Sequence, residues 1–149
     1  MKKSPACRAV AVRLGIDQRR VLRLVQNLTE AGLVPSGYRR HDLSHRQLAR
    51  IMIAAVVDNG LHYAAPTVTE IERLEGNGLQ FGDWLENAVS GRVRLEGVLS
   101  VIFQPDPAAA SVLTSATQLD FGERTNSPTT RITAISGDAL RTLITDLQT

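Results

Sequence analysis

The chain has 149 residues, of which 43% are hydrophobic and 21% charged, enough apolar material for a core and too much for global disorder. Its single cysteine excludes an intramolecular disulfide and a multi-cysteine zinc site, which fits a reducing, cytoplasmic setting. The longest apolar runs, Ile51 to Val57 and Val98 to Phe103, are too short to cross a bilayer. No long apolar segment follows Lys2 and Lys3, against a secretory leader, and no membrane partner is expected.

The net charge of +2 conceals an asymmetry. Residues 1–50 hold 11 Lys and Arg against Asp17, Glu30 and Asp42, a net +8, whereas residues 51–149 hold six Arg against 12 acids, a net −6. The basic third attracts a polyanion that the acidic remainder repels. A nucleic-acid-binding head carried by a body with another task is the organisation this predicts, with a boundary between residues 1–57 and 58–149.

In chain order, Ala6, Val10, Ala11 and Leu14 line one face of a first helix, with Ser4 as cap and Pro5 just inside. Gly15 supplies a turn, Ile16 plugs the angle, and Asp17 caps a second helix that buries Val21, Leu24, Val25 and Leu28. Gly32 ends it near Ala31. A small residue at Ala11 where the helices cross, with glycine four positions later, meets the steric needs of a helix-turn-helix.

The stretch LGIDQRRVLRLVQNLTEAGLV resembles the winged helix-turn-helix DNA-binding proteins, in particular small bacterial or phage repressors. The likeness rests on Ala11, Leu14-Gly15-Ile16, Val21, Leu24, Leu28 and the closing Glu30-Ala31-Gly32-Leu33-Val34, and extends over residues 4–50 with a wing included. It implies that the second helix enters the major groove of double-stranded DNA while the wing meets the flanking backbone or minor groove. Gln18, Arg19, Leu22, Arg23 and Gln26 lie opposite the expected core face. Arg reads guanine and Gln reads adenine through paired hydrogen bonds, and Leu22 suits a thymine methyl. Arg20, toward the flank, is assigned to phosphate.

Pro35-Ser36-Gly37 predicts a bend and YRRHDLS a short extended wing, in which Tyr38, Arg39 and Arg40 meet phosphates before Leu43 returns to the core. Ser44 then caps a third helix with Leu48, Ile51, Met52 and Ala55 at helical spacing. His41, Asp42 and His45 form a candidate metal cluster, with Cys7 or His62 as a further ligand. His41 precedes the helix cap, so its spacing from His45 does not place the two one turn apart, and no metal or cofactor is expected.

Beyond Asp58-Asn59-Gly60, the spacing predicts short helices over Thr69–Glu75 and Phe81–Val89. Strands are predicted within Arg92–Phe103, Ser111–Phe121 and Thr129–Ile135, the first two joined by a PDPAAA turn, with a final helix from about Asp138 to Leu147. Glu70, Glu72 and Glu75 read as an acidic helix surface, and Gly76-x-Gly78 as an ordinary turn lacking a dinucleotide fingerprint. Neither the acids nor Cys7 forms a catalytic signature, so no enzyme is expected.

The fold class is therefore α+β, a winged helix-turn-helix with a short wing followed by a small helical and antiparallel-sheet body. The function expected is a sequence-specific DNA-binding transcriptional regulator acting by operator occupancy as a homo-oligomer, a dimer favoured. Residues 58–149 are free to serve oligomerisation or a protein partner. A phage DNA-packaging adaptor of the small terminase type is the alternative, since those subunits also use helix-turn-helix modules.

Overall fold

The computed structural model describes residues 1–36, 42–123 and 130–148. Three helices come first: α1 (Lys3–Leu14), α2 (Gln18–Glu30) and α3 (His45–Val57). Helix α1 begins two residues earlier than a Ser4 cap places it, with Lys2 at the cap position and no side-chain cap. Pro5 permits this, because the first amides of a helix have no intrahelical partner and a proline among them forfeits no bond. Gly15 closes α1 in the left-handed conformation at φ 66°, and the Ile16 amide donates to the Ala11 carbonyl at 2.9 Å. The Asp17 carboxylate then accepts from the Arg19 amide at 3.0 Å and starts α2.

Helix α3 starts from a reciprocal capping box, in which Ser44 Oγ accepts from the Gln47 amide at 3.1 Å and Gln47 Oε1 from the Ser44 amide at 2.9 Å. The expected apolar stripe understates its burial. Every residue from Ile51 to Val57 is buried, because α1 and α2 cover one side while the elements that follow cover the other.

A single 3-10 turn (Leu61–Tyr63) leads into α4 (Ala64–Glu72). The helix expected over Thr69–Glu75 thus starts and ends earlier. Glu75 instead belongs to β1 (Glu75–Gly76), which pairs with β2 (Leu79–Gln80) around a tight turn where Asn77 and Gly78 both have positive φ. Helix α5 (Phe81–Ser90) follows as expected.

The sheet has four strands rather than three: β3 (Val98–Pro105), β4 (Ala108–Thr114), β5 (Gln118–Gly122) and β6 (Thr133–Ser136), all antiparallel in the order β5-β4-β3-β6. The span Ser111–Phe121, read as one strand, is folded back on itself at Ser115–Thr117. There Thr114 Oγ1 accepts from the Thr117 amide at 2.9 Å, and the Thr114 amide donates to the Thr117 carbonyl at 2.8 Å. Ala108–Ala110, assigned to a turn, opens β4, and Arg92–Leu95 is not a strand. Helix α6 (Gly137–Leu147) is capped by Ser136 and buries Leu140, Leu143, Ile144 and Leu147, the predicted stripe.

The inner face of the sheet carries Val101, Phe103, Ala110, Val112, Phe121 and Ile135. Phe81 of α5 meets Phe103 and Phe121 edge-on at 5.5 and 5.3 Å between centroids and stacks on Trp84 at 5.9 Å. The buried apolar residues form one cluster that runs without a break through Val57, the last residue before the expected boundary.

One polar knot crosses that boundary. Glu72, expected on an acidic surface, is only 6% exposed and accepts from Arg50 at 3.0 and 3.3 Å, with Arg46 at 3.5 Å. Arg50 also donates to the Leu33 carbonyl at 2.9 Å, and Arg46 reaches Asp83 at 2.9 Å and Glu86 at 3.3 Å. A β-carbon at Gly82 would stand 2.8 Å from the Glu72 Cβ and 2.9 Å from the Arg46 guanidinium carbon, so α5 approaches this knot only through glycine.

Three substitutions test this architecture by thermal and denaturant melting. Gly15→Ala meets no atom but must hold φ at 66°, and is expected to cost about 1–2 kcal/mol. Ala11→Leu adds volume to a buried position at a cost of about 1–3 kcal/mol. Glu72→Ala leaves two partly buried guanidinium groups facing each other and should cost about 3 kcal/mol, whereas exposed Glu70→Ala should stay within about 0.5 kcal/mol. Equal melting of the two glutamate variants would contradict the role given to Glu72.

Candidate nucleic-acid interface

Helix α2 is divided cleanly by its periodicity. Val21, Leu24, Val25 and Leu28 are buried, while Gln18, Arg19, Leu22, Arg23 and Gln26 are exposed. The exposed residues recur at three- and four-residue spacing, so their side chains share one stripe along the helix. Leu22 is 40% exposed at the centre of that stripe, an apolar group flanked by two arginines and two glutamines.

A groove of about 480 Å³ runs beside the stripe, between Leu22, Arg23 and Gln26 on one wall and Lys3 and Ser4 at the start of α1 on the other. Lys3 Nζ donates to Thr29 Oγ1 at 3.2 Å and to the Pro35 carbonyl at 2.6 Å. Those bonds hold the start of α1 against the end of α2 and so fix the groove's width. The buried Leu43 amide donates to the Met1 carbonyl at 2.8 Å, returning the chain to the same end of the head.

Arg20 does not share the stripe's situation. Its guanidinium lies against Asp58 in a two-pronged pair, Nε to Oδ2 at 2.9 Å and Nη2 to Oδ1 at 2.8 Å. The Arg20 hydrogen bonds hold the Asp58 carboxyl below its ordinary range against a smaller opposing effect of burial. Further lowering comes from the Gly60 amide, 3.4 Å from Oδ1, and from the charge of Arg131. Arg20, expected at phosphate, thus ties the start of α2 to the end of α3. Asp58 was legible only as part of a chain interruption, and nothing in its sequence neighbourhood names a partner 38 residues away.

The basic excess of the head is reduced in the same way. Arg13 pairs with Asp146 at 2.6 Å, Arg20 with Asp58, Arg46 with Glu72, Asp83 and Glu86, and Arg50 with Glu72. Four head arginines thus consume body acids that the charge count treats as repulsive. Arg19 and Arg23 have no ion-pair partner among the described residues and leave positive charge on the stripe.

Tyr38, Arg39, Arg40 and His41, which carry the predicted wing and one of the three residues of the candidate metal cluster, lie outside the described residues. Among the described residues, no group of three His, Cys, Asp or Glu is placed to hold a metal ion. Cys7 is buried, which pushes its thiol up to about 11 against a smaller opposing effect of Lys3. No helix among the described residues is long and apolar enough to cross a membrane.

The Asp58 pair makes a signed prediction about pH. A carboxyl held lower in the folded state stabilises the fold above the ordinary aspartate value of 3.8, and that contribution is lost as pH falls below it. Asp58→Asn is thus expected to melt below the parent at pH 7, with the difference shrinking as the pH is lowered through 4 toward 3. A difference that stays constant or grows on acidification contradicts the pair.

No protein family, curated protein or solved structure matches the chain.

Proposed function

We propose that this chain is a sequence-specific double-stranded DNA-binding transcriptional regulator that acts by occupying an operator. The observation that carries the reading is the exposed stripe of α2, whose Arg19 and Arg23 have no ion-pair partner among the described residues, on a helix capped by Asp17 and held by a left-handed glycine turn against α1. In this reading α1, the turn and α2 are a helix-turn-helix, α2 is the helix that enters the major groove, and Tyr38, Arg39 and Arg40 belong to a short wing. No reaction is required of it.

Arg19 and Arg23 then pair with guanine edges, Gln18 and Gln26 with adenine, and Leu22 packs on a thymine methyl. The groove between α2 and the start of α1 admits the backbone of the strand being read, near Lys3. Tyr38, Arg39 and Arg40 hold flanking phosphates. Acting as a homodimer, the chain would read two half-sites related by its own symmetry.

Selection of duplexes from a randomised pool, followed by binding measurements on the selected and a scrambled duplex at several salt concentrations, tests this. Affinity for both should fall as salt rises. Arg23→Ala should lose about 1–3 kcal/mol of discrimination between the two duplexes, whereas Arg40→Ala should weaken both alike and lower the salt slope by about one charge. No binding to any duplex at low salt overturns the proposal, and reversed behaviour of the two variants overturns the docking.

A further inference from the structure

The two flanks of the α2 stripe are unlike. One borders the groove beside Lys3 and Ser4. The other carries Arg20 and Asn27, and both are bonded to the chain beyond α3: Arg20 donates to Asp58 through two prongs, and Asn27 Oδ1 accepts from the Ala65 amide at 3.3 Å. A helix with its side chains is about 10–12 Å across and the major groove about 12 Å wide, so a helix lying in it brings both flanks against phosphate backbones. The second flank then meets the second backbone. Arg20, three residues before Arg23 and so beside it, is the cation on that side.

Its charge, however, is already engaged. The pair lies at the surface, with the Arg20 side chain 37% and the Asp58 side chain 28% exposed, unlike the nearly closed Glu72 knot. Asp58 ends α3 in the left-handed region at φ 37°, where glycine is the unstrained choice, and the chain puts a carboxylate there. Arg131 keeps hydrogen bonds of its own, to the Val57 carbonyl at 3.1 Å and to Asn59 Oδ1 at 3.3 Å. The guanidinium that Asp58 holds by both oxygens is that of Arg20.

We infer, resting on the DNA-binding reading, that Asp58 holds down the sequence-independent affinity of this chain for DNA. By occupying the Arg20 guanidinium it withholds one cation from the phosphates of the second strand, and the base contacts of the stripe carry a larger share of binding. Asp58 is a positioning residue: it touches no DNA and acts through Arg20.

Binding of the full chain to sheared mixed-sequence DNA and to the selected duplex, over a range of salt concentrations, tests this. Asp58→Asn should strengthen both about three- to tenfold at low salt and steepen the salt slope by about one charge, with the ratio of the two affinities unchanged. Asp58→Gly, at ease with positive φ, should do the same, so the outcome does not hang on the folding of one variant. Adding Arg20→Ala to either should return affinity and slope to parental values. Glu96→Gln, which removes an exposed acid of the body, should leave both as they were. A parent that binds DNA while both Asp58 variants keep its affinity and slope overturns this inference alone, as does a gain that survives Arg20→Ala or is matched by Glu96→Gln. A parent that binds no DNA at low salt overturns the DNA-binding reading and this inference with it.

Discussion

Helix α3 is the constraint on which the rest of the molecule depends. Its residues 51–57 are all buried, so no single neighbouring layer can satisfy it. The head helices α1 and α2 must pack on one side, and α4, α5 and the sheet on the other. A chain divided by charge into two parts is thereby joined into one hydrophobic core, and α2 is left at the outside with half of its circumference in solvent.

The polar contacts follow from the same arrangement. Glu72 enters a nearly closed space because Arg46 and Arg50, one turn apart on α3, arrive there together, and Arg50 continues to the Leu33 carbonyl just past the end of α2. At the other end of α3, Asp58 takes Arg20 from the first turn of α2. Both ends of α2 are thus clamped to α3 by arginine, a fork whose geometry leaves little freedom once both prongs are engaged. What remains free on α2 is the stripe with Arg19, Leu22 and Arg23.

Local rules made the helical half of the chain readable. Gly15, Asp17, Gly32 and Ser44 act through their own backbones and near neighbours, and each sets the helix boundary it predicts to within a residue. The apolar face of α2, its exposed stripe and the buried face of α6 follow from periodicity alone. The sheet was only partly legible: the turn at Ser115–Thr117 uses a threonine hydroxyl without Gly or Pro, and so reads as continuous strand. Long-range pairing was not legible at all. Glu72, Asp58 and Asp146 look like ordinary surface acids until the fold brings arginines from 22, 38 and 133 residues away. That is why a charge count of the head alone exaggerates its attraction for a polyanion.

Backbone amide resonances report most directly whether the stripe of α2 is a DNA-reading surface. A selected duplex titrated into isotopically labelled protein at moderate salt should shift amides concentrated in residues 17–27 and at the start of α1, with the sheet and α5 nearly unmoved. Saturable binding whose shifts fall on the sheet or on α4, with residues 17–27 unperturbed, would contradict the account.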